Sequence, residues 1–306
     1  MRIFFMGTPD FADASLKKLI ESRHEVIGVA CQPDKPKGRG KQLASPDTKV
    51  TATEHSIPVF QPKTLKNGEL KETLNELAPD IIVVVAYGKL LPDYVIDFPK
   101  YGCVNVHGSL LPKYRGAAPI QRAVLDGEKY TGITTMKMDY GLDTGDMYDT
   151  VRVEIGDNET SAELFDRLSS IGAELLIETL DKIEAGTATL TKQDESKQTY
   201  AKMISKDEAK IDWAKTSLEI HNLVRGMNSW PMAYTLLGGE MIKIIRTEIS
   251  DGKGSPGEVL GVIKGKGIKI ATGDGAVCVC EVQAPGKRKV DGVSFLNGRK
   301  FSEFEN

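Results

Sequence analysis

The chain has 306 residues, 40% hydrophobic and 27% charged, with a mean hydropathy of −0.25 and a formal net charge of −3. At about 100–200 residues per domain this predicts two ordinary globular domains, and it excludes disorder, collagen-like repeats and a disulfide scaffold. The longest apolar run, residues 81–87, falls far short of the about 18 residues a membrane helix needs, and residues 1–7 are too short an apolar run for a signal peptide.

Residues 2–6 read as a strand ending at Gly7-Thr8-Pro9-Asp10. Residues 11–22 read as a helix, with Phe11, Leu16, Leu19 and Ile20 at helical spacing. A strand over 25–30, a helix over 48–55 and an extended piece at Val59-Phe60 follow. A helix is expected over 65–77, stopped by Pro79-Asp80. Residues 80–87 are a run of Ile and Val, the pattern of a strand buried on both faces. Strands over 102–107, 132–138 and 146–153 come next. The helix over 161–185 carries Leu164, Leu168, Ile171, Leu175, Leu176 and Leu180 on one face. This alternation predicts an α/β domain with a doubly wound, mostly parallel, Rossmann-like sheet.

The character changes near residue 190. Residues 192–200 are polar and read as a linker. After a helix over 217–228, five short β-rich runs between glycines (233–237, 241–249, 257–263, 267–272 and 276–283) predict a smaller, OB-like β-barrel. The expected domains are therefore 1–190, a linker over 191–204, and 205–306. Residues 1–204 carry net −5 and residues 205–306 net +2.

Several chemistries are missing. Gly7, Pro9 and Ala12 stand where a GxGxxG loop needs three glycines, and no GxxxxGK[ST] occurs. His24, His55, His107 and His221 are far apart, with no HExxH. Cys31, Cys103, Cys278 and Cys280 form no CxxC pair, so free thiols in a reducing cytoplasm are expected. Cys278 and Cys280 are expected to pack rather than to ligate a metal.

Three stretches carry chemistry. Asn105 and His107 lie two apart at the carboxyl end of an apolar strand, so their side chains share a face. Ligands of open α/β sheets bind outside such strand ends. A satisfied core histidine beside a turn-forming Asn is the plainer alternative. The irregular loop from Gly108-Ser109 to Pro112 weighs against it. Residues 138–147 pack Asp139, Asp143 and Asp146 with two glycines, either as turn formers or with Asp143 reaching His107. Lys35, Lys37, Arg39 and Lys41 alternate with Pro and Gly, a loop expected to lack regular structure and to reach a polyanion. Lys287-Arg288-Lys289 is a second basic patch.

The motif Asn105-x-His107-Gly108-Ser109-Leu110-Leu111-Pro112, followed by Leu142-Asp143-Thr144-Gly145, resembles the folate-dependent formyltransferases. The run 109–121, the start Phe5-Met6-Gly7-Thr8-Pro9-Asp10-Phe11-Ala12 and the insertion Gly38-Arg39-Gly40-Lys41 are similar too. So are Trp230-Pro231-Met232-Ala233-Tyr234 and Asp291-Gly292-x-x-Phe295-x-x-Gly298-Arg299, so the likeness covers nearly the whole chain. The resemblance implies 10-formyltetrahydrofolate as co-substrate, no metal, and methionyl-initiator tRNA as partner and acceptor. It implies Asn105, His107 and Asp143 as catalytic residues and Ser109, Leu110, Leu111 and Pro112 as the folate segment. The family's tRNA-reaching loop corresponds to the stretch around Arg39. Lys35, Lys37, Arg39 and Lys41 are then candidate tRNA contacts, with Lys287, Arg288 and Lys289 as the second set. Lys113 and Tyr114 stand where Arg and Trp are more usual. A cytoplasmic monomer without membrane contact is expected. Two alternatives stay open: a sugar-nucleotide formyltransferase, which shares the core motif and a similar second domain, and a folate-binding protein that passes formyl to water.

Overall fold

The computed structural model describes residues 1–37, 42–297 and 302–305. Its elements begin β1 (Arg2–Gly7), α1 (Asp10–Glu21), β2 (Glu25–Ala30), β3 (Lys35–Lys37), β4 (Gln42–Ala44), α2 (Asp47–Glu54), β5 (Val59–Phe60), α3 (Lys71–Leu77) and β6 (Ile81–Val85). They continue with α4 (Asp93–Ile96), β7 (Cys103–His107), β8 (Arg115–Gly116), α5 (Pro119–Leu125), β9 (Tyr130–Lys137), β10 (Met147–Glu154) and α6 (Ser161–Glu184). The last are β11 (Tyr200–Ala201), α7 (Ser217–Gly226), β12 (Tyr234–Leu237), β13 (Glu240–Ser250), β14 (Val259–Ile263), β15 (Gly267–Ala271), β16 (Ala276–Gln283), β17 (Val290–Asp291) and α8 (Gly292–Leu296).

Two units emerge. The first comprises Met1–Gly116, Gly132–Val153 and Phe165–Tyr200, and the second Ala117–Thr131, Glu154–Leu164 and Ala201–Asn306. The first is built on a seven-stranded sheet of order β10-β9-β7-β6-β1-β2-β5. The pairs β5–β2, β2–β1, β1–β6 and β6–β7 are parallel, and β9 runs antiparallel to β7. The chain winds outward from β1 to β2 and β5, then returns to add β6 and β7 on the other side. That reversal makes the carboxyl ends of β1 and β6 a topological switch point, with the end of β7 beside it. Ile81–Val85 is buried throughout, as its unbroken apolar run requires of a central strand. One face packs Phe4, Met6, Ile82 and Val84 against Leu70, Leu74 and Val95. Each such side chain contributes about 1.5–3 kcal/mol by leaving water.

Two expectations fail in this unit. The helix expected over 65–77 begins only at Lys71, because Gly68 adopts φ +73, a left-handed turn that interrupts the α conformation. Leu65 and Leu70 keep their core positions without the helix. The basic loop is not wholly irregular. Lys35–Lys37 pairs antiparallel with Gln42–Ala44, and a two-stranded ribbon tolerates Pro36 because both strands are edges. The sequence also leaves α4, α5 and α8 unread, since helices of four to seven residues show too little period.

In the second unit the strand order is β12-β13-β16-β15-β14, with β17 on β16. Its two edges meet through the end of the chain: Leu236 bridges to Glu305, and Glu258 bridges to Glu303. This closes the barrel expected from the glycine-punctuated runs. Trp213, fully buried, donates from Nε1 to Thr235 Oγ1 at 3.0 Å, and Thr235 donates on to the Glu305 carbonyl at 2.7 Å. Thr216 and Glu219 cap α7 reciprocally. Arg122, on α5, anchors residues 117–131 within this unit. It donates to both Glu208 oxygens, at 2.7 and 3.1 Å, and to the Lys202 and Met203 carbonyls.

The Arg122 guanidinium and the Ser205 N–H hold the Glu208 carboxyl at about 2, well below the usual carboxylate range. A depressed carboxyl adds stability above its unfolded value, about 4.3, and loses it as pH falls through the folded one. Glu208→Gln should therefore cost about 1–2 kcal/mol at pH 7, read as a lower urea midpoint. The gap to wild type should close between about pH 5 and pH 2. An equal gap at pH 7 and at pH 2.5 would contradict this account.

Candidate active site

β7 delivers Asn105 and His107 on one face, buried to 8% and 6% exposure beside Met136 and Thr134 of β9. The Asn105 side chain makes no hydrogen bond to another described residue. His107 is committed on one side only. Its Nε2 lies 2.9 Å from the Tyr114 carbonyl oxygen. A carbonyl has no proton to give, so Nε2 carries the hydrogen and donates it. Nδ1 is left facing the Asp143 Oδ2, at 3.7 Å. That separation is an ion-pair distance rather than a hydrogen bond. The same Oδ2 accepts the Gly116 N–H at 2.8 Å.

Both loops that meet the imidazole are unusual in backbone. Tyr114 has φ +60 and Asp143 has φ +53. Asp tolerates the left-handed region, whereas for Tyr it is strained by about 1–3 kcal/mol. The strain at Tyr114 is offset by hydrogen bonds on either side. Its N–H donates to Thr199 Oγ1 at 2.8 Å, and the Arg115 N–H donates to the Thr199 carbonyl at 2.9 Å. Thr134 supports the preceding turn: its hydroxyl donates to the Ser109 carbonyl at 2.8 Å and accepts the Leu111 N–H at 3.2 Å. Ser109 is buried, and its own hydroxyl donates to the Lys113 carbonyl at 2.6 Å. Leu111 is buried too, while Leu110 and Pro112 remain half-buried.

The structure thus gathers Asn105, His107 and Asp143 with the 109–112 segment at one strand end. Of the basic candidates, Lys35 is exposed on β3, Lys37 is the last residue of that strand, and Arg39 and Lys41 fall outside the described residues. Lys287, Arg288 and Lys289 are all exposed between β16 and β17. The roles of Tyr114, Thr134 and Thr199 escaped sequence reasoning because each of these contacts has a backbone group on at least one side, which residue type does not announce. Burial pushes the Cys103 and Cys280 thiols up to about 12 and the Cys31 thiol to about 11. Among the described residues, His24, Asp181 and Glu184 come within ligand distance of one another. Both carboxylates are already engaged by Arg23, and Glu184 also by the N-terminal amine.

Comparison with known proteins bears on family and fold. Residues 1–180 match the family model described as Formyl transferase, and residues 203–300 match Formyl transferase, C-terminal domain. A methionyl-tRNA formyltransferase from Geotalea daltonii is 48% identical over 302 residues, spanning 99% of this chain and 96% of its own. One from Acetivibrio thermocellus is 49% identical over 308 residues, spanning 100% and 99%. The crystal structure of an N-formyltransferase from Helicobacter canadensis, with folinic acid and dTDP-3-aminofucose, superposes with a TM-score of 0.66 over 94% of this chain and 99% of its own. At 22% identity that likeness speaks for the fold. Fold, site and matches together define a two-domain formyl transferase. Within that class, the chain belongs to the methionyl-tRNA formyltransferase family.

Thr134 is fully buried and serves two backbone groups at once. Thr134→Val keeps the volume and strands both. It should cost about 1–3 kcal/mol per orphaned group, read as a lower midpoint of urea unfolding. An unchanged midpoint would mean that the 109–111 turn is held by other contacts.

Proposed function

We propose that this chain transfers formyl from 10-formyltetrahydrofolate to the amino group of methionyl-initiator tRNA, by direct attack of the amine. The observation that carries the reading is the meeting of Asn105, His107 and Asp143 at the carboxyl end of β7 in a formyl transferase chain. A buried amide without a hydrogen-bond partner among the described residues suits a carbonyl oxygen that becomes an oxyanion. Asn105 supplies an N–H there. His107 has a single nitrogen to offer, Nδ1, because Tyr114 holds the other. Asp143 Oδ2 faces that nitrogen at 3.7 Å, so Nδ1 is placed to relay a proton between the amine and the folate nitrogen.

The balance is simple. The amine nitrogen forms a bond to the formyl carbon, and the bond from that carbon to the folate nitrogen breaks. The proton lost by the amine equals the one gained by the folate nitrogen, with Nδ1 and Asp143 as the nearest carriers. No covalent enzyme intermediate is needed, since an amine is already a competent nucleophile. Leu110 and Pro112, half-buried beside the site, form the wall against which the folate lies, with Ser109 and Leu111 fixing the turn from inside. The basic residues at 35–41 and 287–289 are the proposed tRNA contacts, and residues 205–306 the proposed tRNA-binding domain. Among the described residues no helix is long and apolar enough to cross a membrane. We place the enzyme in the cytoplasm as a monomer.

Three incubations test the reading: 10-formyltetrahydrofolate is supplied with methionyl-initiator tRNA, with an amino-sugar nucleotide, or alone. Formylated tRNA is expected only in the first. Release of formate without an acceptor would mark a hydrolase. His107→Ala should lower turnover strongly and leave folate affinity unchanged. Asn105→Ala should lose about 10²–10³ in kcat, the scale of one oxyanion donor. Wild-type turnover in either variant would remove that residue from the chemistry. Arg39→Ala should raise KM for the tRNA, less so at high salt, with folate binding intact. Equal kinetics would make the 35–41 segment a bystander.

A further inference from the structure

Gln193 belongs to neither sequence motif, and it lies in the segment read as a linker. It is nonetheless buried, at 8% exposure, and both ends of its amide are engaged. Nε2 donates to the backbone carbonyls of Asp143 and Gly145, each at 2.8 Å. Oε1 accepts from Arg115 twice, from Nε at 3.0 Å and from Nη2 at 2.8 Å. Arg115 is buried as well, and its outer edge pairs with both oxygens of Glu195, at 2.7 and 3.0 Å.

The chemistry of these partners fixes the amide in one orientation. Carbonyls only accept and a guanidinium only donates, so a flipped amide would set oxygen against oxygen and N–H against N–H. The loop that Gln193 grips has little freedom of its own. Asp143 sits at φ +53, and a Cβ on Gly145 would lie 1.7 Å from the Lys137 carbonyl oxygen. Without the two donors, the carbonyls of Asp143 and Gly145 would lose their partner at the back of the loop. The front of the same loop carries the Asp143 carboxylate, 3.7 Å from His107 Nδ1 and 2.8 Å from the Gly116 nitrogen. Gly116 follows Arg115 directly. One arginine therefore ties the segment that binds the carboxylate to the glutamine that holds its backbone.

We infer that Gln193, locked in place by Arg115, is a positioning residue that holds the Asp143 carboxylate against His107 during formyl transfer. The inference rests on the reading of Asp143 as the working partner of His107. The test uses the full chain with Gln193→Met, Gln193→Glu, Asp143→Asn and the double variant Gln193→Met/Asp143→Asn. For each, kcat, both KM values and the melting temperature are measured. Gln193→Met removes all the hydrogen bonds at similar volume. Gln193→Glu keeps the Arg115 contact and loses the two donors. Both should fold, with kcat down about 10–100-fold, the scale of a small misplacement, and both KM values within about twofold of wild type. On the Asp143→Asn background, Gln193→Met should cost no more than about twofold further, since the group it positions is already disabled.

Wild-type kcat in either Gln193 variant overturns the inference. So does the same fold-loss on both backgrounds, a loss expressed in KM rather than kcat, or failure of both variants to fold, which would make Gln193 structural. A normal kcat in Asp143→Asn sinks the underlying reading of Asp143 as well. A damaged Asp143→Asn beside a normal Gln193→Met sinks the positioning role alone.

Discussion

A buried imidazole must satisfy two nitrogens, and here the protein claims one of them with a backbone carbonyl. The Tyr114 oxygen takes the Nε2 hydrogen of His107, and much of the site follows from that bond. It fixes the ring plane and tautomer, so Nδ1 is the only nitrogen free to work. It also forces the chain after Pro112 to double back until a residue seven positions on faces the strand it has just left. That return is what places Tyr114 at φ +60 and brings the Gly116 N–H to Asp143. A side-chain acceptor would have left the loop free to move. A carbonyl ties the position of the loop to the orientation of the ring, so neither relaxes without the other.

The supporting contacts fall into place around this bond. Thr134 holds the start of the loop from β9, and Thr199 holds its end from the segment before β11. Both act on backbone groups that would otherwise be buried without partners, a cost of about 1–3 kcal/mol each. The strand end supplies stiffness, because β7 lies between β6 and β9 and its register leaves Asn105 and His107 no latitude. Rigidity matters to acyl transfer because a donor stabilises an oxyanion only if it is already aimed when the charge forms.

Different parts of this molecule were legible in the sequence for different physical reasons. The apolar run at 81–85 announced a central strand because burial on both faces leaves no alternation. Asn105 and His107 were legible as a pair because the strand period is two. The approach of Asp143 to His107 was not, since nothing local encodes a contact 36 residues apart, and resemblance alone suggested it. Arg115 and Gln193 were further from reach: their partners lie 48 to 80 residues away, and two of them are backbone carbonyls. Segment 192–200 read as a linker because it is polar, yet Gln193 and Thr199 spend that polarity inside the first unit. The pairing of Lys35–Lys37 with Gln42–Ala44 was missed because Pro forbids a central strand but not an isolated ribbon.

A chain of net charge −3 is an unexpected carrier for a polyanion, and the ion pairs resolve the difficulty. Many carboxylates are matched at short range: Asp34 with Lys49, Glu163 with Arg246, Glu195 with Arg115 and Glu208 with Arg122. Such pairs are close to neutral beyond the Debye length of about 8–10 Å. Lys287, Arg288 and Lys289 are exposed, and among the described residues no ion pair engages them. On the proposed function, a phosphate reaching that turn would meet three cations that have no ion-pair partner among the described residues. The whole-chain charge therefore governs solubility, while the local field decides association. Binding that rests on a few exposed cations falls steeply with salt, because each contact releases counterions from the nucleic acid. On the proposed function, the buried end of β7 and the exposed basic turn thus answer to different variables, geometry for the first and ionic strength for the second.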